Sequence, residues 1–315
     1  MTSGALLLGL LNGLLIGLLA VGIVIVYKAN RFLNLAHGQL GALPAMLLGK
    51  FVLDWGWPWW EAFVLAVAAG VLTGVAVDRF LVRPLRERTS SRISLLLLSV
   101  GAAQLLLALV FVPALGPDST KLNVKGYPVP FHASFGFGGV IVTGQYLLIA
   151  GLAPVLIAGL AAFLRYTTLG KSIRAAASNP DEARVCGISI RRVSAVTWAL
   201  AGGLSAVTAI LQAPSQTQFD AASLGPDLLL LALGAAAVGA FVSIPGALAG
   251  GLIIGLAEQL TLAATSSGGD ALLVVVGVIL ATLLIRGRAI GKVFEATGSI
   301  LDDRRPVVVP EAARQ

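Results

Sequence analysis

Residues 5–26 read ALLLGLLNGLLIGLLAVGIVIV, an uncharged run of mostly Leu, Val, Ile and Gly. About 20 predominantly apolar residues carry a helix across the hydrocarbon of a bilayer, and this run supplies them in one piece. Four residues precede it, with no basic segment ahead and no small-residue cleavage site behind. It therefore reads as a retained span rather than a secretory signal. Working outward, further apolar runs fall at roughly 36–53, 61–79, 93–115, 143–164, 193–212, 224–242, 246–263 and 270–286. The second is the weakest, because His37, Gln39 and Pro44 lie inside it. Residues 228–257 are uncharged throughout, too long for one span without strong tilt, and Ser243-Ile244-Pro245-Gly246 divides them in two. The expectation is an all-α polytopic transmembrane helical bundle of about 8–10 spans. It forms one membrane domain over 1–290 with a tail over 291–315.

Composition agrees. Of 315 residues, 57% are hydrophobic and 12% charged, and the mean hydropathy is +0.92. Soluble domains carry about 25% charged residues, so a soluble enzyme and a disordered chain are excluded. The pI is about 10.0, but the charges are too scattered for a nucleic-acid face, and no nucleic-acid partner is expected. A single cysteine, Cys186, and two histidines, His37 and His132, argue against a disulfide scaffold and against metal or cofactor sites.

Basic residues set the orientation. Arg79, Arg83, Arg86, Arg88 and Arg92 share one loop, and six more lie in 165–192. Lys28, Arg31 and the C-terminal basic residues join them on one side, leaving Lys50, Lys121 and Lys125 elsewhere. That side is expected to be the cytoplasm, with the N-terminus outside and the C-terminus inside. Ser90 and Cys186 then label from within and Ser119 from outside. Trp55, Trp57, Trp59 and Trp60 fall at the outer interface, where indoles anchor. Pairs such as Gly13/Gly17, Gly70/Gly74, Gly246/Gly250 and Gly251/Gly255 suit close helix packing.

The loop RYTTLGKSIRAAASNPDEARVCGISIRR, residues 165–192, carries structure of its own. Thr167 or Thr168 can cap a short helix running to Ser178. Asn179 can cap a second, with Pro180 at its first position, Asp181 and Glu182 at its positive end, and Gly187 closing it. Ala175, Ala176 and Ala177 make a narrow helix suited to a groove in another protein. A bulky or charged residue at Gly170 or Ala176 is then expected to block that docking and to spare insertion. Gly170-Lys171-Ser172 imitates the end of a phosphate-binding loop, but Arg165 stands where its first glycine belongs and a span precedes it instead of a strand. ATP chemistry is therefore expected on another chain.

Three stretches carry a resemblance: Thr168-Leu169-Gly170-Lys171-Ser172-Ile173-Arg174-Ala175-Ala176-Ala177 with Asn179-Pro180, Ala183 and Gly187-Ile188; Leu33-Asn34-Leu35-Ala36-His37-Gly38-Gln39 with Gly41-Ala42; and Ser243-Ile244-Pro245-Gly246-Ala247 with Gly250-Gly251 and Glu258. Together they resemble the permease subunits of branched-chain amino-acid ABC importers, over about residues 10 to 290. The His37-Gly38 form is similar to the first of the two paired permeases. Gln39 departs from a common acidic residue and Pro44 from a common glycine. The resemblance implies a channel-forming subunit of a bacterial inner membrane, paired with a second permease, two cytoplasmic ATPases and an extracytoplasmic binding protein. Its solute would be a branched-chain or related amino acid, or urea or a short amide, for the family includes importers of each. Thr168, Gly170, Arg174, Ala175, Ala176, Asn179, Pro180, Ala183 and Gly187 would form the ATPase coupling loop.

Irregular backbone at membrane depth must be buried or line a cavity. Asn34 to Gly49 and Ser243 to Gly255 are Gly/Pro-interrupted stretches in the two halves of the chain, a recognised pointer to a transport path. Asn34, His37, Gln39 and Pro44 are the candidates in the first stretch, each open to a structural role or a solute contact. Glu258 reads as the one carboxylate well inside an apolar run, and intramembrane ionisable residues are candidates by default. Gln104, Gln145 and Gln212 are weaker ones. Residues 116–142 and 213–223 are either a docking surface for a binding protein or plain connectors. A stand-alone secondary transporter would need coupling-ion acids, of which only Glu258 qualifies. An intramembrane enzyme would need a nucleophile with its base.

Overall fold

A computed structural model describes residues 2–88, 91–131, 133–215 and 219–302; Ser90, His132 and the tail from 303 onward lie outside the described residues. Eight helices among them are long and apolar enough to cross a membrane. They are α1 (Thr2–Asn30), a continuous run made of α3 (Trp59–Ala76), a π-helical turn (Val77–Val82) and α4 (Arg83–Arg88), then α5 (Arg92–Val110), α7 (Gly144–Tyr166), α10 (Ile190–Gln212), α11 (Ala221–Val238), α12 (Ile244–Thr265) and α13 (Gly268–Asp302). Between α1 and α3 lies a shorter apolar helix, α2 (Gln39–Leu53). Each expected span therefore has its helix, and the weak second one is the short one.

The ends sort onto two faces. At the N-terminus of α1, Gly4 meets Phe137 and Gly138. At its other end, Asn30 bonds Thr197 and Arg86. The ends of α1 and α4 and the start of α10 therefore share one face. Arg286 on α13 donates to the Val238 carbonyl, which ties the end of α11 to α13.

Helix α1 is the central post, almost wholly buried, while α13 faces largely outward. Its main partner is α12, antiparallel to it. A Cβ on Gly251 would stand 2.3 Å from the Gly17 nitrogen, and one on Gly255 2.4 Å from that of Gly13. Only glycine lets these backbones touch, and such contact is what associates helices where lipid already solvates apolar surface. Gly70, Gly74 and Gly202 make the α3–α10 crossing in the same way.

The face where α1 begins carries small elements absent from the sequence reading. Residues 116–142 hold a short helix, α6 (Ser119–Lys125), and part of an antiparallel hairpin of β1 (Ser134–Phe137) and β2 (Val140–Thr143). Trp55 and Trp57 both stack on Phe51, and Trp59 stacks on Phe63 while donating to the Pro128 carbonyl at 3.0 Å. Tyr127 donates to the Ala45 carbonyl at 2.7 Å, and burial pushes its hydroxyl well above the ordinary range. Helix α13 runs on past residue 290 to Asp302.

Candidate functional site

Between α1 and α2 the chain turns back into the bundle without a helix. Arg31, at φ 61°, makes the turn, and its guanidinium donates to the Ala177 and Ser178 carbonyls. Asn34 Oδ1 accepts from the Ala36 N–H at 3.0 Å, closing an Asx turn. His37 Nε2 then lies 3.1 Å from the Leu19 carbonyl, and its ring packs where Gly22 has no Cβ. Ser205 donates to the His37 carbonyl at 2.6 Å. Leu19 is about 16 Å along the axis from the end of α1, which puts this backbone near mid-depth. Three atoms of the segment are buried without a hydrogen-bond partner: Asn34 Nδ2, His37 Nδ1 and Gln39 Oε1. A buried polar group left in that state costs about 1–3 kcal/mol. Pro44 falls within α2, where its ring packs beside Gly70 of α3.

The second interruption differs. Residues 239–243 turn with Ala240 and Phe241 at positive φ, and α12 is regular from Ile244, with Ser243 as its cap. The irregular backbone expected over Ser243 to Gly255 is thus confined to a helix end. Phe241 packs on Tyr27, near the end of α1.

Glu258 is not brought to His37. Gly255 and Leu256 meet Gly9, which is about 15 Å along α1 from Leu19. Glu258 lines a cavity of about 340 Å³ with Gln212, Asp227, Leu228 and Val275. Asp227 corrects the reading of Glu258 as the lone intramembrane carboxylate. It sits within α11, and its two uncharged flanks were the available signal. Gln145 donates to the Leu211 carbonyl at 3.0 Å, while Gln104 is exposed.

Loop 165–192 folds as its caps predict. α8 (Thr168–Ser178) starts with Thr167 Oγ1 accepting from the Gly170 N–H at 2.9 Å. α9 (Pro180–Val185) starts with Asn179 Oδ1 accepting from Asp181 and Glu182. Gly187 is left-handed at φ 79°. The resemblance to a phosphate-binding loop dissolves, because the Gly170 N–H is used by Thr167 and Gly170 packs on Leu164.

The orientation of α8 corrects one expectation. Gly170, Ile173, Ala176, Ala177 and, on α9, Ala183 are buried. A Cβ on Gly170 would lie 2.2 Å from the Phe163 carbonyl. The small residues fit the loop to its own helices, so substituting Gly170 or Ala176 disturbs this chain first. The outward face carries Thr168, Lys171, Arg174 and Val185, the last 91% exposed; Ala175, Asn179 and Pro180 are intermediate.

A polar cluster that the sequence reading missed ties the end of α1, the π-helical turn and α4 to the start of α10. Ser194 Oγ lies 2.5 Å from Asp78 Oδ1 and 2.8 Å from Asn30 Oδ1, and Arg86 donates to Asn30 Oδ1 at 2.6 Å. Arg83 pairs with the buried Asp78 at 3.4 Å. The π-helical turn carries Asp78, and such turns are frequent at functional sites.

With this geometry in hand, comparison with known proteins is specific. The family described as "Branched-chain amino acid transport system / permease component" matches residues 5–285. The high-affinity branched-chain amino acid transport system permease protein BraD of Pseudomonas aeruginosa is 30% identical over 268 residues, 79% of this chain and 84% of BraD. LivH of Escherichia coli K12 is 29% identical, over 81% of this chain and 86% of LivH. A probable LivH of Methanocaldococcus jannaschii is 30% identical, over 86% of each chain. Among solved structures, PsaBC from Streptococcus pneumoniae in complex with Fab shares the fold, with a TM-score of 0.50 at 16% identity over 88% of this chain and 90% of that one.

Proposed function

The chain belongs to the branched-chain amino acid transport permease family, and from that premise we propose that it imports branched-chain or related amino acids as the channel-forming subunit of an ABC importer. The single observation that carries the coupling part is the α8–α9 loop, capped at both helices and packed on α1, α7 and α10. In this reading Thr168, Lys171 and Val185, exposed on its outer face, receive a cytoplasmic ATPase. Arg31, bonded to the end of α8, and the Asn30–Asp78–Ser194 cluster pass ATPase closure to the spans. A second permease, two ATPases and an extracytoplasmic binding protein complete the system. The basic face is cytoplasmic, so the N-terminus lies outside and the C-terminus inside, and the 291–315 tail extends into the cytoplasm from the 1–290 membrane domain.

The solute path in this reading runs past the re-entrant segment at Asn34, His37 and Gln39, with Pro44 shaping α2 behind them and Glu258 near the outer mouth. A zwitterion with an aliphatic side chain needs few fixed charges and several hydrogen-bond partners. The unpartnered atoms of Asn34, His37 and Gln39 are of that kind. The test is purification of the tagged chain from its native membrane, followed by reconstitution. Co-purifying ATPases and a second permease, with ATP-dependent leucine uptake, are expected. Uptake of urea or a short amide instead would move the solute and keep the architecture. A chain that transports alone would end the reading.

A further inference from the structure

At the basic face a second cavity, about 290 Å³, opens between the ends of α1 and α7 and the coupling helix α8. Its floor is apolar, with Ile25, Leu164 and Ile173 among its lining, and its charged residues are Lys28, Arg165 and Arg174, with no carboxylate. Ion pairs among the described residues use Arg83, Lys121, Arg184 and Arg191, so none involves these three. Lys28 and Arg165 stand in the last turns of their helices, where a cation answers the helix dipole. Arg174 is in the middle of α8, and the dipole does not account for it. Three like charges gathered over an apolar pocket call for an anion with an apolar body.

We propose that this cavity is a binding site for an anionic phospholipid, its phosphate held by Lys28, Arg165 and Arg174 and an acyl chain laid on the floor below. Position favours lipid over free phosphate. The cavity lies where spans end, α7 is largely unburied by the rest of the chain, and basic pockets between helices at the cytoplasmic side suit such headgroups. Because α8 forms one wall, the lipid bridges the spans to the coupling helix and steadies it.

The test needs no transport assay. Full-length chain in detergent is mixed with equal amounts of phosphatidylglycerol and phosphatidylcholine of the same acyl chains, and retained lipid is read by native mass spectrometry. One phosphatidylglycerol per chain is expected in preference, resistant to excess inorganic phosphate. The triple variant Lys28→Gln, Arg165→Gln, Arg174→Gln should lose that preference by at least about tenfold. A control that removes three charges from the same face outside the cavity, Arg79→Gln, Arg191→Gln, Arg192→Gln, should keep it. Ala161→Trp, which fills the cavity and leaves the charges, should also displace the lipid and gives a readout if the triple variant misfolds. No preference in the native chain, equal loss in the control, displacement by phosphate, or full retention in Ala161→Trp would each overturn the assignment.

Discussion

The two interruptions of this chain look alike in sequence and differ in space. The first, residues 31–38, carries its backbone to mid-depth, where Gly38 and Gly41 lie against the Gly225 and Ser205 carbonyls. The second, residues 239–243, is a turn at the end of α11, with Val242 and Ser243 exposed. Glycine and proline in an apolar run mark where a helix stops. They do not say how deep. Depth comes from what the segment touches, and only the first touches the middle of α1, α10 and α11. The transport-path reading therefore rests on one interruption, and the second half of the chain contributes through the cavity at Glu258.

The largest effect should come from the first interruption. A Cβ on Gly38 would lie 2.0 Å from the Gly225 carbonyl oxygen, a backbone atom that cannot swing aside. Gly38→Val should cost on the order of 3 kcal/mol or more and leave little folded protein by fluorescence-detected size exclusion. A normal yield would mean the re-entrant backbone is slack. His37→Ala comes next. It deletes a fully buried ring and its bond to Leu19, at a cost of about 2–4 kcal/mol. A thermal midpoint equal to the native one would show that His37 does not anchor the segment to α1.

Glu258→Gln asks whether the second half takes part at all. The side chain keeps its shape and loses its charge, and none of the ion pairs among the described residues ties Glu258 to another element. Stability should hardly move while reconstituted uptake falls at least about tenfold, worth about 1.4 kcal/mol. Full uptake would assign the path to the first interruption alone.

These contrasts also mark what was legible in the sequence. Spans were readable because lipid imposes length and apolarity on each one separately, and the caps of α8 and α9 because Thr167, Asn179 and Gly187 act within a few residues of themselves. What α8 turns toward was not readable. An alanine run fits a partner's groove and its own chain's groove equally well, and only the packing of Gly170 on Phe163 and Leu164 decides between them. The Asp78 cluster was hidden for a similar reason. Its members, Asn30, Asp78, Arg86 and Ser194, meet across three elements far apart in the chain, and Asp78 in sequence is only one more charge at a span end.

The smallest effect should come from the second interruption. Ser243 Oγ accepts from the Gly246 N–H at 3.0 Å and so satisfies one of the free donors at the start of α12. Pro245 in the first turn has no N–H to lose. Ser243→Ala removes one cap worth about 1 kcal/mol, at an exposed position where water can take over part of the bond. The thermal midpoint should drop by about 2 °C, with assembly and uptake unchanged, because nothing that bonds Ser243 reaches the re-entrant segment. A variant that fails to assemble, or that loses uptake at native stability, would show the end of α11 to be as tightly bound to function as residues 31–38. The two interruptions would then be equivalent after all, as their sequences first suggested.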